Sequence, residues 1–178
     1  MTQHLLENIR LLLLDADGVL TRGDIIYTED GGESKSFNVR DGFGIRMLKN
    51  AGIFVGIITG RSSKALERRA RELGVDFCHC GAKDKTALLD SITQQARCER
   101  RETAFVGDDL PDIAIMKNVG AAIAVADAHE AVKQIACMVT LNPGGRGAVR
   151  EVCESILMAK GLWEEILQSW VQTDSTDY

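Results

Sequence analysis

Ile9-Arg10-Leu11-Leu12-Leu13-Leu14 runs directly into Asp15-Ala16-Asp17-Gly18. Continuous rather than alternating apolarity marks a strand covered on both faces. A central strand that ends on two carboxylates decides how the rest is read. Further strands are predicted at Ile53 to Ile58, Val75 to Cys78, Thr103 to Val106, Ala121 to Val125 and Cys137 to Thr140. Helical patterns lie between and after them, at Gly42 to Asn50, Ser62 to Leu73, Asp84 to Ala96, Pro111 to Lys117, Glu130 to Ile135 and Ala148 to Lys160. Strand followed by helix, repeated, predicts an α/β fold: a Rossmann-like, mostly parallel sheet with helices on both faces and right-handed connections.

One stretch breaks the rhythm. Asp24 to Thr28 and Glu33 to Val39 read as extended segments around Glu29-Asp30-Gly31-Gly32, whose Asp and Gly residues suit a tight reversal. A small β-hairpin after the first strand, within about residues 21–40, is the expectation, with no interval long enough for a large cap domain. Residues 1–165 form one domain in this reading, and the polar stretch 166–178 is a C-terminal tail, frayed from about Gln168.

The 178 residues, 45% of them apolar, suffice for one domain with a sizeable core. A net charge of -5 argues against nucleic acid and acidic membranes as partners but permits a local basic pocket. Five scattered cysteines imply no disulfide framework. Cys78 and Cys80 flank His79, yet no second close pair completes a tetrahedral zinc site. The start, Met1 to Arg10, has no long apolar stretch of a targeting segment, so a cytoplasmic location is the expectation.

Ligands of open parallel sheets bind beyond the carboxyl ends of the strands. Asp15 and Asp17 follow the first strand. Thr59, Gly60 and Arg61 follow the second core strand, and Gly107, Asp108, Asp109 and Asp112 follow the one beginning near Thr103. Lys85 opens a helix between them. Crowded carboxylates raise one another's proton affinity. A hard cation relieves this, and Mg2+ prefers oxygen ligands. Asp15 and Asp108 are the candidate direct ligands, joined by the backbone carbonyl of Asp17. Asp109 and Asp112 are candidates to hold waters or orient the ligands. His4, His79 and His129 form no evident nucleophile pair.

These segments resemble the four signature motifs of the haloacid dehalogenase-like hydrolases: Asp15-Ala16-Asp17-Gly18-Val19-Leu20-Thr21, Thr59 within Ile57-Ile58-Thr59-Gly60-Arg61, Lys85, and Gly107-Asp108-Asp109-Leu110-Pro111-Asp112. Phe37-Asn38-Val39-Arg40-Asp41-Gly42, Gly44-Ile45, Ala124 to Ala128 and Gly144 to Val152 narrow the resemblance to the 3-deoxy-D-manno-octulosonate 8-phosphate phosphatase family, from about Ile9 to Gly161. Ala16 and Arg22 stand where the family more often has Val and Asp.

The resemblance implies that Asp15 is the nucleophile of a Mg2+-dependent phosphomonoester hydrolase, passing through an aspartyl-phosphate, and that Asp17 is the general acid and base. It implies that Lys85, Thr59 and the Gly60 amide bind phosphate. Arg61, and less directly Arg69, are candidates to grip a sugar acid phosphate. The family is known for homotetramers whose hairpins pack around a central axis. That makes Arg146 and Arg150, in and after the Gly144 to Gly147 segment, candidate substrate or intersubunit contacts. Trp163 and Trp170 are candidates for an interface or for core packing. The implied setting is lipopolysaccharide biosynthesis in a Gram-negative cytosol. A nonulosonate 9-phosphate phosphatase and a catalytically inactive regulatory or assembly domain remain as alternatives.

Overall fold

A computed structural model describes residues 2–172. In chain order the elements are α1 (Thr2–Glu7), β1 (Leu11–Leu14), the hairpin strands β2 (Ile26–Tyr27) and β3 (Glu33–Ser34), α2 (Val39–Asn50), β4 (Phe54–Ile58), α3 (Lys64–Leu73), β5 (Phe77–His79), α4 (Thr86–Gln95), β6 (Thr103–Gly107), α5 (Ile113–Met116), β7 (Ala121–Ala124), α6 (Glu130–Ile135), β8 (Met138–Val139), α7 (Ala148–Ala159) and α8 (Trp163–Gln172). Six strands form one sheet in the order β5-β4-β1-β6-β7-β8, and every pairing in it is parallel.

The leucines of β1 are wholly buried, and each such side chain stabilises the fold by about 1.5–3 kcal/mol. Their register positions the site. Leu14 pairs with Ile57 on one side and Val106 on the other. The three strands therefore end almost in step, and the loops carrying Asp15, Thr59 and Asp108 leave the sheet side by side.

Several edges differ from the sequence reading. α2 begins at Val39, not Gly42, because Asn38 caps it by accepting a hydrogen bond from the Arg40 amide at 2.8 Å. Gly42 and Gly44, both inside the helix, are demanded by tight packing. A Cβ on Gly42 would lie 2.2 Å from Arg69 Nη2, and one on Gly44 3.1 Å from the Arg150 Cα. The helix expected from Pro111 is a 3-10 turn, Leu110–Asp112, that leads into the short α5. α1 was not expected; it buries Leu6. Polar composition from Gln168 predicts a frayed tail, but α8 stays helical through Gln172; residues 173–178 lie outside the described residues. Trp170 on that helix packs edge-on against Phe43, with ring centroids 5.3 Å apart.

Two contacts hold the loop after β1. Asp41, buried at the start of α2, accepts hydrogen bonds from the Gly147 and Arg150 amides, at 3.3 and 2.8 Å. It thereby serves the exposed donors at the start of α7. The Gly144-Gly145 pair just before that helix presses on the loop itself. The Gly145 amide donates to the Val19 carbonyl at 2.8 Å, and a Cβ on Gly144 would lie 1.7 Å from the Gly18 carbonyl oxygen. The glycine segment is thus a collar around the loop that carries Asp15 and Asp17.

Gly144→Ala should therefore destabilise the protein by roughly 1–3 kcal/mol, the usual cost of overpacking, read as a lower midpoint of urea unfolding. An unchanged midpoint would mean that the collar yields freely.

Candidate active site

Asp15, Asp108 and Asp112 place carboxylate oxygens within 4.8 Å of one another at the carboxyl edge of β1 and β6. Asp15 and Asp112 are buried. Lys85, at the start of α4 and 8% exposed, reaches between them: its Nζ contacts Asp15 Oδ1 and donates to Asp112 Oδ1 at 2.7 Å. The cap of α4 is supplied by the neighbouring Asp84, which accepts from the Thr86 and Ala87 amides. Lys85 is thereby left to turn inward, where its Nζ also lies 5.7 Å from the centre of the Phe105 ring.

Asp112 works on the scaffold as well as on Lys85. Its Oδ2 accepts from the Asp108 amide at 3.0 Å. The space it needs exists because residue 107 is glycine; a Cβ there would lie 2.6 Å from the same oxygen. Asp109 departs from the expected role. Its exposed side chain accepts from the Leu110 amide at 2.8 Å and caps the 3-10 turn, so its carboxylate is spent on backbone. Gly18, at φ +92°, is required on two counts: its backbone angle and the Asp108 carboxylate, 2.0 Å from where a Cβ would sit. Gly60 has no such neighbour, with only the Ala82 carbonyl at 3.8 Å.

Electrostatics follow from this crowding. Burial pushes the Asp15 carboxyl up to about 6, against the pull of Lys85 and with repulsion from Asp112. Burial, then repulsion from Asp15, Asp112 and Asp109, pushes Asp108 to about 8. Burial pulls Lys85 down, but Asp15 and Asp112 more than offset it and its net shift is upward. Three carboxylates and one ammonium sum to two negative charges when all are ionised. A divalent cation with oxygen preference fits the donor set of Asp15, Asp108 and Asp112.

Asp17 stands apart from this cluster. Its carboxylate contacts Lys35 Nζ at Oδ1 and lies 3.6 Å from Arg61 Nε at Oδ2. Arg61 also donates to Glu33 at 2.7 Å, and Lys35 lies 3.3 Å from Glu33. Glu33 and Lys35 belong to the hairpin, so the hairpin folds back onto the site of its own chain. Neither was a candidate from the sequence. Their alternation with Ser34 along a strand was the available signal, but the direction in which the hairpin leans was not.

Thr59 is buried, accepting from the Arg61 amide at 3.3 Å, and its backbone is pinned by His79 and Ala82. Arg69 lies elsewhere, its guanidinium against Gly42 and 3.6 Å from Glu72. Arg146 is exposed on the glycine turn. Arg150, expected to face substrate or a neighbour, is engaged in its own chain by Glu154 at 2.5 Å and by the rings of Phe43 and Trp163. Two surface cavities, of about 450 and 800 Å³, lie at residues 7–10 with 51–53 and between α2 and α8. Neither touches the carboxylate cluster. No helix among the described residues is long and apolar enough to cross a membrane.

Comparison with known proteins agrees with this geometry. A family model described as haloacid dehalogenase-like hydrolase matches residues 81–151. The chain is 48% identical over 153 residues to the 3-deoxy-D-manno-octulosonate 8-phosphate phosphatase KdsC of Yersinia pestis, covering 86% of this chain and 82% of that one. It is 46% identical over 159 residues to the phosphatase of the same name from Escherichia coli K12, covering 89% and 85%. A crystal structure of the Moraxella catarrhalis phosphatase, in complex with magnesium ion, phosphate ion and a KDO molecule, superposes with a TM-score of 0.92 at 39% identity, covering 95% and 97%.

The raised carboxyls have a consequence for stability. The unfolded chain ionises these groups near the usual 3.8, whereas the folded, metal-free protein holds protons up to about 6 on Asp15 and about 8 on Asp108. Between those values the folded state binds more protons than the unfolded one, so stability is lost as pH rises through the window. In a chelator, the melting temperature should fall from about pH 5 to about pH 8.5. Saturating Mg2+, which binds the ionised carboxylates, should flatten that fall. A chelated protein whose melting temperature holds steady or rises over this range would contradict the charge balance described.

Proposed function

The chain belongs to the 3-deoxy-D-manno-octulosonate 8-phosphate phosphatase family of haloacid dehalogenase-like hydrolases, and we infer from that membership and from the carboxylate edge what it does. It hydrolyses 3-deoxy-D-manno-octulosonate 8-phosphate to the free sugar acid and inorganic phosphate, with Mg2+ as cofactor, a step that supplies lipopolysaccharide biosynthesis. The observation that carries the reading is a buried aspartate at the end of the central strand, held against a lysine and beside two further carboxylates.

Residue roles follow as proposals. Asp15 is the nucleophile. Lys85 holds one of its oxygens, which orients the other for attack on phosphorus and favours the ionised form. The new bond makes an aspartyl-phosphate as the ester bond to the sugar oxygen breaks. Asp17 gives that oxygen a proton, then takes one from the water that hydrolyses the intermediate. Lys85, the Thr59 hydroxyl and the Gly60 amide offer positive charge and hydrogen bonds to the phosphoryl oxygens, where charge spreads in the transition state. The Asp15 and Asp108 carboxylates and the Asp17 carbonyl hold Mg2+, which when bound offsets the charge of phosphate and nucleophile. Asp112 orients Lys85 and the Asp108 backbone.

The protein also acts, in this proposal, as a cytoplasmic homotetramer assembled through the hairpin. Ile25, Ile26, Tyr27 and Val39 are exposed around the hairpin, an apolar surface of the kind that marks an interface. Arg146, exposed beside the collar, is placed to reach a neighbouring copy; Arg69 retains only a supporting role behind Gly42.

Asp15→Asn should lower kcat by roughly 10⁴–10⁶, the scale of losing a nucleophile, while Glu164→Gln on the exposed face of α8 leaves it unchanged. Normal turnover by Asp15→Asn would refute the assignment. The eight-carbon substrate should be preferred over a nine-carbon analogue; a preference of more than about tenfold the other way would shift the substrate reading. Light scattering should show four copies, and Ile26→Glu should yield smaller species. A fully active monomer would contradict the assembly proposal.

A further inference from the structure

The charged groups at the site divide into two sets, each organised by its own lysine. Lys85 serves Asp15 and Asp112, on the side of the attacking oxygen. Lys35 serves Asp17 and Glu33, and Arg61 completes an alternating ring by bonding Glu33 and facing Asp17. The two sets differ in their origin. Lys85 comes from the helical layer of the main fold, whereas Lys35 and Glu33 come from the hairpin. Within the second set the lysine is the hidden member: its side chain is 1% exposed, against 44% for Arg61. Arg61 can be approached by a ligand from solvent. Lys35 is sealed against the carboxylate it contacts.

We propose that Lys35 is a positioning residue for protonation of the leaving group, holding the Asp17 carboxylate in place from the hairpin side. This rests on the assignment of Asp17 as general acid. An aspartate side chain has several rotamers, and a proton donor must lie within hydrogen-bond reach of the oxygen it protonates. Lys35 Nζ engages Oδ1 of Asp17, so the other oxygen is the one left to face substrate. Arg61, 3.6 Å from that second oxygen, is the more exposed partner and can yield to an incoming ester. Glu33 pairs with the same ammonium at 3.3 Å and is itself held by Arg61. The hairpin is thereby a working part of the site of its own chain, in addition to any role in assembly.

Chemistry supplies a selective test. The sugar oxygen of an alkyl phosphate departs as a poor alkoxide unless it is protonated, and a placed acid contributes about 10²–10⁴ in rate. A p-nitrophenolate departs unaided as a stabilised anion. The value of kcat/KM covers only the steps up to formation of the aspartyl-phosphate, so it isolates the departure of the leaving group. With Mg2+ saturating and the full chain, Lys35→Met should lower kcat/KM for 3-deoxy-D-manno-octulosonate 8-phosphate at least about tenfold more than for p-nitrophenyl phosphate. Asp17→Asn should show the same selectivity, larger. A role confined to folding or assembly would depress both substrates alike. Equal loss on the two esters, or no loss, in Lys35→Met beside a selective loss in Asp17→Asn overturns the Lys35 inference alone. Unselective loss in Asp17→Asn removes the acid itself, and both readings with it. If Lys35→Met melts below the assay temperature, the comparison of the two esters is run at a lower temperature at which the variant stays folded, with the same two outcomes.

Discussion

Lys85 between Asp15 and Asp112 is the contact on which the rest of the structure depends. Two carboxylates and an ammonium are costly to take out of water singly, and they are tolerable here because each neutralises another at hydrogen-bonding distance. Asp108 completes the set, and burial, with repulsion from Asp15, Asp112 and Asp109, is why its carboxyl clings to a proton. The metal-free site is therefore short of positive charge. The same imbalance equips it to hold a divalent cation, whose charge then offsets that of a phosphate ester.

Topology makes the crowding possible. The parallel strands β4, β1 and β6 end in step, so three loops distant in sequence open onto one edge. Two loops at that edge are then tightened by glycines, each for a stated steric reason. Gly107 admits Asp112, Gly18 admits Asp108, and Gly144 admits the Gly18 carbonyl. The last of these connects the end of the chain to its beginning. Asp41 fastens α7, the collar precedes α7, and the collar grips the loop that carries Asp15. A change at residue 144 thus reaches Asp15 through backbone alone.

Much of this was readable in the sequence. β1 declares itself through buried leucines, and α6 was placed residue for residue because nothing competes with its pattern. The carboxylates were recoverable because strand ends are recoverable, and open sheets collect their ligands there. What escaped detection depended on direction or on tertiary pressure. The first turn of α2, from Val39 to Asp41, precedes the predicted start at Gly42, because the Asn38 cap that begins it shows only in the folded backbone. Asp109 and Asp112 are alike in sequence, yet one caps a turn in solvent and the other is buried beneath a lysine. α8 was masked by polar residues, although Trp163, Ile166 and Trp170 mark a helical face. Lys35 was invisible because a hairpin's sequence does not say which way it leans.

The chain thus joins a rigid edge of carboxylates to a hairpin that supplies charge from the other side. In the proposed reaction Asp15, and no other residue, forms the bond to phosphorus. Rapid acid quench during steady turnover, followed by mass analysis of the peptides, tests this most directly. A phosphoryl adduct on the peptide spanning Leu11 to Thr21, located at Asp15, is the expected result. An adduct on another residue, or substrate turnover with no protein-bound phosphoryl group at any quench time, would contradict it.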